Sequence, residues 1–257
     1  MDPGTYNQTL NFPSGSWFKK RENTLVQVDG REFRLAKVIH ESYLDGGNLW
    51  KVLFEGFPTD DPCQTVILKY RYEYYLLPVA SYLMHVRILI LRLHPFLFET
   101  DKKHIAGSRK FLDEVAAMKA CQGSGHTPIY ISHEVQRQRQ QDDPYPGEGY
   151  VWVLVMSKLP GLRLFFRFIP PEPLVVTRQE MRDIRQQCID TQEYANAQGF
   201  STTLGIEHVI YDPESKHVFF FGMHHVEPGR DETPDYSPYL FLNSLENPPD
   251  MYVKVVD

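Results

Sequence analysis

Closely spaced cysteines are missing from this chain. Its three, Cys63, Cys121 and Cys188, stand far apart. No spacing among them fits a zinc site or a disulfide framework, so a reducing, cytoplasmic setting is expected. A surplus of positive charge is missing too. The net charge is −6, whereas a nucleic-acid surface needs at least a basic stripe, so no nucleic-acid partner is expected. The start, Met1-Asp2-Pro3-Gly4, lacks a basic stretch followed by an apolar core, and no secretory leader is expected from it. There is no internal repeat. Nor is there a clean spanning segment. The richest apolar stretch, Tyr74 to Phe98, is broken by His85, Arg87, Arg92, His94 and Pro95, and a spanning helix needs roughly 20 apolar residues almost free of charge. Leu83, Val86, Ile90, Leu91 and Leu93 approximate helical spacing. They predict a buried or amphipathic helix, with contact to a membrane surface left open.

What is present is ordinary in bulk and aromatic in detail. Apolar residues make up 42% and charged residues 23%, as in a soluble globular protein. There are 16 Phe and 15 Tyr in 257 residues, a length that suits one large domain or a two-lobed one.

Residues 1–23 are polar and turn-rich and read as a flexible arm. Phe33 to Ile39 has strand character, and Asp45-Gly46-Gly47-Asn48 is turn chemistry. Leu49 to Phe57 is a second strand with Trp50, Val52 and Phe54 on one face. Thr65 to Tyr72 is a third. Residues 107–122 read as a helix capped by Ser108, with Phe111, Val115 and Met118 on one side, ended by Gly123-Ser124-Gly125. Ile129 to Val135 is a strand, residues 136–149 an exposed turn, and Tyr150 to Met156 a fully buried strand. This gives five short strands and one helix. Thr177 to Ala197 is a long helix opened by a capping box, Thr177 with Glu180, and closed by Gly199. Runs 208–211 and 217–221, joined by Asp212-Pro213-Glu214-Ser215, form a hairpin. The last stretch, rich in Pro, Asp and Asn, carries little periodic pattern.

The order of these pieces resembles the protein-kinase-like fold, in particular degenerate kinase-like proteins (pseudokinases) of filamentous fungi. Val66-Ile67-Leu68-Lys69 looks like the strand whose lysine pairs with nucleotide phosphates. Glu114 looks like its partner on the following helix. Val153 to Met156 with Ser157-Lys158-Leu159-Pro160-Gly161 looks like the last strand of the first lobe and the hinge. Ala197-Gln198-Gly199-Phe200 looks like the helix end before the catalytic loop, and Val209-Ile210-Tyr211-Asp212 like the strand after it. The resemblance covers residues 30–225. It implies an α+β, two-lobed kinase-like fold: a small antiparallel-sheet first lobe at 24–161 with an insertion at 73–106, and a truncated helical second lobe at 162–257.

The departures carry the functional expectation. A kinase needs an aspartate to accept the substrate proton, and an asparagine and an aspartate to hold magnesium. Thr203, His208 and Phe220 stand at those positions, and residues 40–50 contain no G-x-G-x-x-G to cover phosphates. Phosphoryl transfer is therefore not expected. Several phosphate charges in an apolar cleft without magnesium would be strongly penalised, whereas an apolar ligand gains about 25 cal/mol per Å² buried.

Two classes of function follow. The first is an apolar small-molecule site, as in a cofactor-free cyclase or isomerase of secondary metabolism acting by holding a reactive conformer. Lys69 and His208 would polarise a carbonyl, and Glu114, Met156, Phe220, Met223 and His224 would line the site. The second is a non-catalytic scaffold that contacts a protein partner, or another copy of itself, through residues 73–106. Each residue also has a plainer reading. Lys69 and Glu114 could be a structural ion pair. Phe219 and Phe221 read as core strand, with Phe220 toward the cleft. His208, His224 and His225 could bind metal, move a proton or simply pack. At most one of the tandem pair faces the cleft, and no metal or cofactor is assigned.

Overall fold

The computed structural model describes residues 17–44, 49–73, 99–138, 150–163, 174–202, 208–221, 226–228 and 253–256. The chain divides into two compact units that exchange segments: Met1–Arg109 with Ile131–Met156, and Lys110–Tyr130 with Ser157–Asp257. The architecture is mixed α+β.

The first unit is built on a six-stranded sheet. Its strands are β1 (Leu25–Val28), β2 (Arg31–Leu44), β3 (Leu49–Pro58), β4 (Val66–Glu73), β5 (Tyr130–Arg137) and β6 (Tyr150–Ser157), in the order β1-β2-β3-β4-β6-β5. β1 to β4 form an antiparallel meander. The sequence reading missed β1, although its signal is present. Asp29 and Gly30 both take positive φ, 52° and 75°, which is the two-residue hairpin turn that Asp-Gly favours.

Every strand sends alternate residues to one shared core. Val28, Phe33, Leu35, Trp50, Val52, Phe54, Val66, Leu68, Tyr70, Tyr72, Val151, Val153 and Val155 pack together, with Val26, Val38 and Ile131 against them. Such a common interior requires the sheet to curl, and its edge strands do meet. The Asp29 N–H donates to the Glu134 carboxylate at 2.9 Å, and the Gln136 amide donates to the Gln27 carbonyl at 2.7 Å. Side chains of β5 thus join β1 across the seam and cover an edge that would otherwise offer unpaired backbone.

A 3₁₀ turn at Trp17–Arg21 closes one part of this core. Phe18 is fully buried, with its ring 5.1 Å from that of Tyr72. The Arg21 guanidinium lies 5.3 Å over the Tyr70 ring and donates to the Tyr72 hydroxyl. From Trp17 on, therefore, the segment expected as a loose arm is folded, because Phe18 gains more by burial than the turn loses in chain entropy.

Helix α1 runs Glu99–Cys121. It starts well before the expected residue 107, so Ser108 is interior rather than a cap, and residues 99–106 are helical. Glu99 and Asp101 favour a helix N-terminus through its dipole. The apolar stretch within 74–98 and the turn at 45–48 lie outside the described residues. A 3₁₀ turn, Gln122–Ser124, and left-handed Gly125 end the helix, as expected.

The second unit has its own core. Ala117 and Cys121 of α1 pack with Val176, Met181, Ile184, Cys188, Ala195, Val209, Tyr211, Val218 and Phe220. Helix α2, Arg178–Ala197, supplies the stripe, and its capping box is formed by Thr177 and Glu180 as expected. Short strands surround it: β7 (Leu162–Arg163), β8 (Leu174–Thr177), β9 (Phe200–Thr202), β10 (Val209–Asp212), β11 (His217–Phe220), β12 (Val226–Pro228) and β13 (Val253–Val256). β10 and β11 form the expected hairpin, and β7 joins β10. β9 pairs with β12, and β8 runs parallel to β13. The expected helical second lobe is therefore, among the described residues, largely a set of small strand pairs around α2. β12 and β13 fall in the stretch that shows no periodic pattern, because three or four ladder pairs need too few residues to reveal a period. Among the described residues no helix is long and apolar enough to cross a membrane.

The capping box also sets an acid limit. The Lys216 ammonium and the Thr177 N–H and hydroxyl bind the Glu180 carboxylate, and hold it down to about 2. A carboxylate lowered on folding stabilises fully above its unfolded value, and that contribution is lost as pH falls through the folded one. Denaturation midpoints of wild type and Glu180→Gln are expected to differ most above pH 4.5 and to converge between about 4.5 and 2.

Candidate functional site

The sequence-derived residues fall into two groups. Lys69 and Met156 lie in the first unit; Glu114, His208 and Phe220 lie in the second. Met223 and His224, with His225, lie outside the described residues.

Lys69 sits in mid-β4, between Leu68 and Tyr70, both of which point into the curled core. Strand alternation sends Lys69 to the outer face. On β6 the same alternation turns Val151, Val153 and Val155 inward and Trp152, Leu154 and Met156 outward. The outer face is nonetheless buried: Lys69 and Arg71 are each 3% exposed, and Leu53, Trp152, Leu154 and Met156 are also buried. The β3–β4 register sets Leu53 opposite Lys69 and Lys51 opposite Arg71, and the β2–β3 register sets His40 opposite Leu53. Lys69 and Arg71 thus share a face with Leu53, Trp152, Leu154 and Met156, and Lys51 stands directly across from Arg71.

Buried cations are costly unless something offsets their lost hydration, and like charges facing across a ladder add repulsion. Neither Arg71 nor Lys51 entered the sequence-derived site. The period-2 count from Lys69 would have found Arg71; Lys51 needed the register.

In the second unit, Glu114 lies on the inner stripe of α1 with Phe111, Val115 and Met118, and is 1% exposed. Phe220 ends β11 opposite Val209. It is fully buried in the core with Cys188, Tyr211 and Val218, while Phe219 and Phe221 are half-buried. The expected sidedness is therefore reversed: Phe220 is the core residue, and its two neighbours are the less buried ones. The cause is register, since pairing with buried Val209 turns Phe220 toward α2.

His208 precedes β10 and is partly exposed. Its carbonyl accepts from the Phe221 N–H at 2.9 Å, and the two rings meet edge-on at 5.7 Å. His208 is thus placed beside Phe221. Two other histidines do come together. His126, in the loop after α1, stacks on His217 of β11 with ring centroids 4.3 Å apart and planes 3° from parallel. Their positions, far apart in sequence and one in a loop, leave no local signal of this pairing. Among the described residues there is no group of three or more His, Cys, Asp or Glu able to hold a metal. Cys121 and Cys188 are buried and free; burial pushes the Cys121 thiol up to about 11 and that of Cys188 up further, so neither is a nucleophile at neutral pH.

No protein-family model and no curated protein matches the chain. Among solved structures it is similar to vaccinia related kinase 3, with 15% identity over 82% of this chain and 56% of that one, at a TM-score of 0.43. It is also similar to the Cydia pomonella granulovirus kinase PK-1, with 9% identity over 76% of this chain and 55% of that one, at a TM-score of 0.45. The chain thus spans little more than half the length of either kinase.

Proposed function

We propose that this chain is a kinase-like protein that does not transfer phosphate and whose outer first-unit face binds an apolar small molecule through a carbonyl or carboxylate. The kinase-like reading is supported by chain order. A strand with a buried lysine (β4) is followed by a helix with a buried glutamate (α1) and then by two strands, the last of which, β6, returns to lie beside β4. The lysine strand and helix glutamate are the parts a kinase uses to hold phosphates.

The observation that carries the loss of phosphoryl transfer is Phe220. In this reading Phe220 stands where a kinase carries its magnesium-binding aspartate, and its side chain is wholly enclosed in a hydrophobic core. A metal ligand must present an oxygen to an open coordination position, and this site presents none.

The ligand class follows from the Lys69 face. In this reading Leu53, Trp152, Leu154 and Met156 would supply apolar contact, and Lys69 would turn a charge-assisted hydrogen bond toward an oxygen of the ligand. A cofactor-free cyclase or isomerase uses such a site to fix a reactive conformer and to polarise its carbonyl. Such a reaction asks for no strong base and no metal.

The test is ligand-dependent thermal denaturation with a panel of polycyclic apolar carboxylic acids, their methyl ketone analogues and the parent hydrocarbons. Acids or ketones are expected to raise the midpoint, hydrocarbons less so, and Lys69→Met is expected to weaken binding of the acids roughly tenfold or more, the scale of one lost charge-assisted hydrogen bond. Equal binding of acids and hydrocarbons, or full affinity in Lys69→Met, would remove Lys69 from the site. No binding by any member would favour the protein-scaffold reading.

A further inference from the structure

We infer that the stacked His126–His217 pair is an acid-released clasp that ties the loop after α1 to strand β11. Each ring already uses one nitrogen. His126 Nδ1 lies 2.7 Å from the Val218 carbonyl oxygen, and His217 Nε2 lies 3.1 Å from the Gly125 carbonyl oxygen. A carbonyl only accepts, so both ring nitrogens donate, which fixes complementary tautomers and leaves one bare nitrogen on each ring. The two bonds are reciprocal: the loop histidine holds the strand, and the strand histidine holds the loop. The Phe220 N–H adds a third tie, donating to the His126 carbonyl at 2.7 Å. The clasp therefore anchors the same strand end that places Phe220 in the core.

Added protons go to the bare nitrogens and leave both carbonyl bonds intact. Their effect is electrostatic. Asp190 of α2 acts on His126 with the sign that favours a proton, Asp212 of β10 is attracted to a His217 cation, and the Phe219 ring lies 4.7 Å from His217, tilted 58° to it. The Lys216 ammonium on the adjoining turn opposes a proton, but it is engaged by Glu180. One proton on the pair is thus tolerated. A second sets two like charges face to face at 4.3 Å in a partly desolvated site. Desolvation, with the repulsion of His217 added, holds His126 below its ordinary value.

The sign follows. An unfolded histidine protonates near pH 6.5, whereas folded His126 resists its proton, so the clasp is fully present above that pH and is lost progressively below it.

The experiment is amide hydrogen exchange of the full chain at pH 7.5 and pH 5.0, corrected for the intrinsic pH dependence of exchange, read on peptides covering residues 122–128 and 216–221. In the wild type the corrected rates of both segments are expected to rise together by tenfold or more at pH 5.0. In His217→Phe, which keeps an aromatic ring for His126 to stack on but cannot take a proton, the rise is expected to shrink to threefold or less. An equal rise in both proteins, or no rise in the wild type, would overturn the clasp.

If His217→Phe does not fold, ring-proton titration of the wild type by NMR decides instead. His126 is expected to titrate below its ordinary value of 6.5; a His126 midpoint at or above 6.5 would overturn the inference.

Discussion

Phe220→Asp is expected to abolish cooperative folding of the second unit. The change would restore the magnesium ligand under the proposed reading, yet it places a carboxylate among Cys188, Tyr211 and Val218, where Phe220 has no exposed surface. Removing the phenyl ring from such a site costs about 3–5 kcal/mol. The unpaired carboxylate adds a penalty of several more, or is forced to bind a proton. Against a total stability of about 5–15 kcal/mol, little or none remains. Phe220→Leu, which keeps the site apolar, is expected to cost about 1–1.5 kcal/mol. Circular dichroism melts of the two variants separate the possibilities. A folded Phe220→Asp with a midpoint near that of the wild type would mean that the residue lines an open cleft, and the loss of the phosphate site would then rest on sequence alone.

Gly161→Ala is the second large effect. Gly161 has φ of +94°, and a β-carbon there would lie 2.4 Å from the Tyr211 carbonyl oxygen and 2.7 Å from its carbon. Both neighbours are backbone, held by the β7–β10 pairing of Leu162 with Tyr211, so neither can swing aside. The variant must open that pairing or shift the hairpin, at an expected cost of at least about 3 kcal/mol, at the severe end of single substitutions. Gly125→Ala is the control. Gly125 also has a positive φ, +74°, but nothing lies within 4 Å of the added carbon, so only the conformational cost of about 1 kcal/mol is expected. Urea denaturation of the two variants measures the difference. Equal costs would mean that the close approach at Tyr211 relaxes freely.

The parts of the fold legible in the sequence are those fixed locally. The Thr177–Glu180 box, the Gly125 and Gly199 stops, the alternation in Leu49–Phe57 and the uniform burial of Val151–Met156 all depend on residues a few positions apart. The errors have equally specific causes. In Phe219-Phe220-Phe221 three identical side chains erase the alternation that tells inside from outside, so only the pairing with Val209 assigns Phe220 to the core. The early start of α1 was hidden by its polar first turns, which carry no apolar stripe to extend. Lys69 was found because a lysine after an apolar strand is conspicuous. Its neighbours Lys51 and His40 reach the same face through cross-strand register and a β-bulge between Val38 and His40, and neither is encoded at short range. The His126–His217 clasp joins a loop to a strand from the two separate segments of the second unit, with no periodicity to betray it.

We propose a kinase-like chain whose phosphate chemistry has been replaced by packing. Its most direct test is thermal denaturation of the purified protein with ATP and magnesium, over nucleotide concentrations up to the millimolar range. A native state that binds nucleotide must gain midpoint in proportion to the logarithm of concentration over Kd. The account predicts no saturable shift, and no phosphate transferred to the protein itself or to water. A magnesium-dependent, saturable rise that disappears in Lys69→Met would contradict it and return the chain to phosphoryl chemistry.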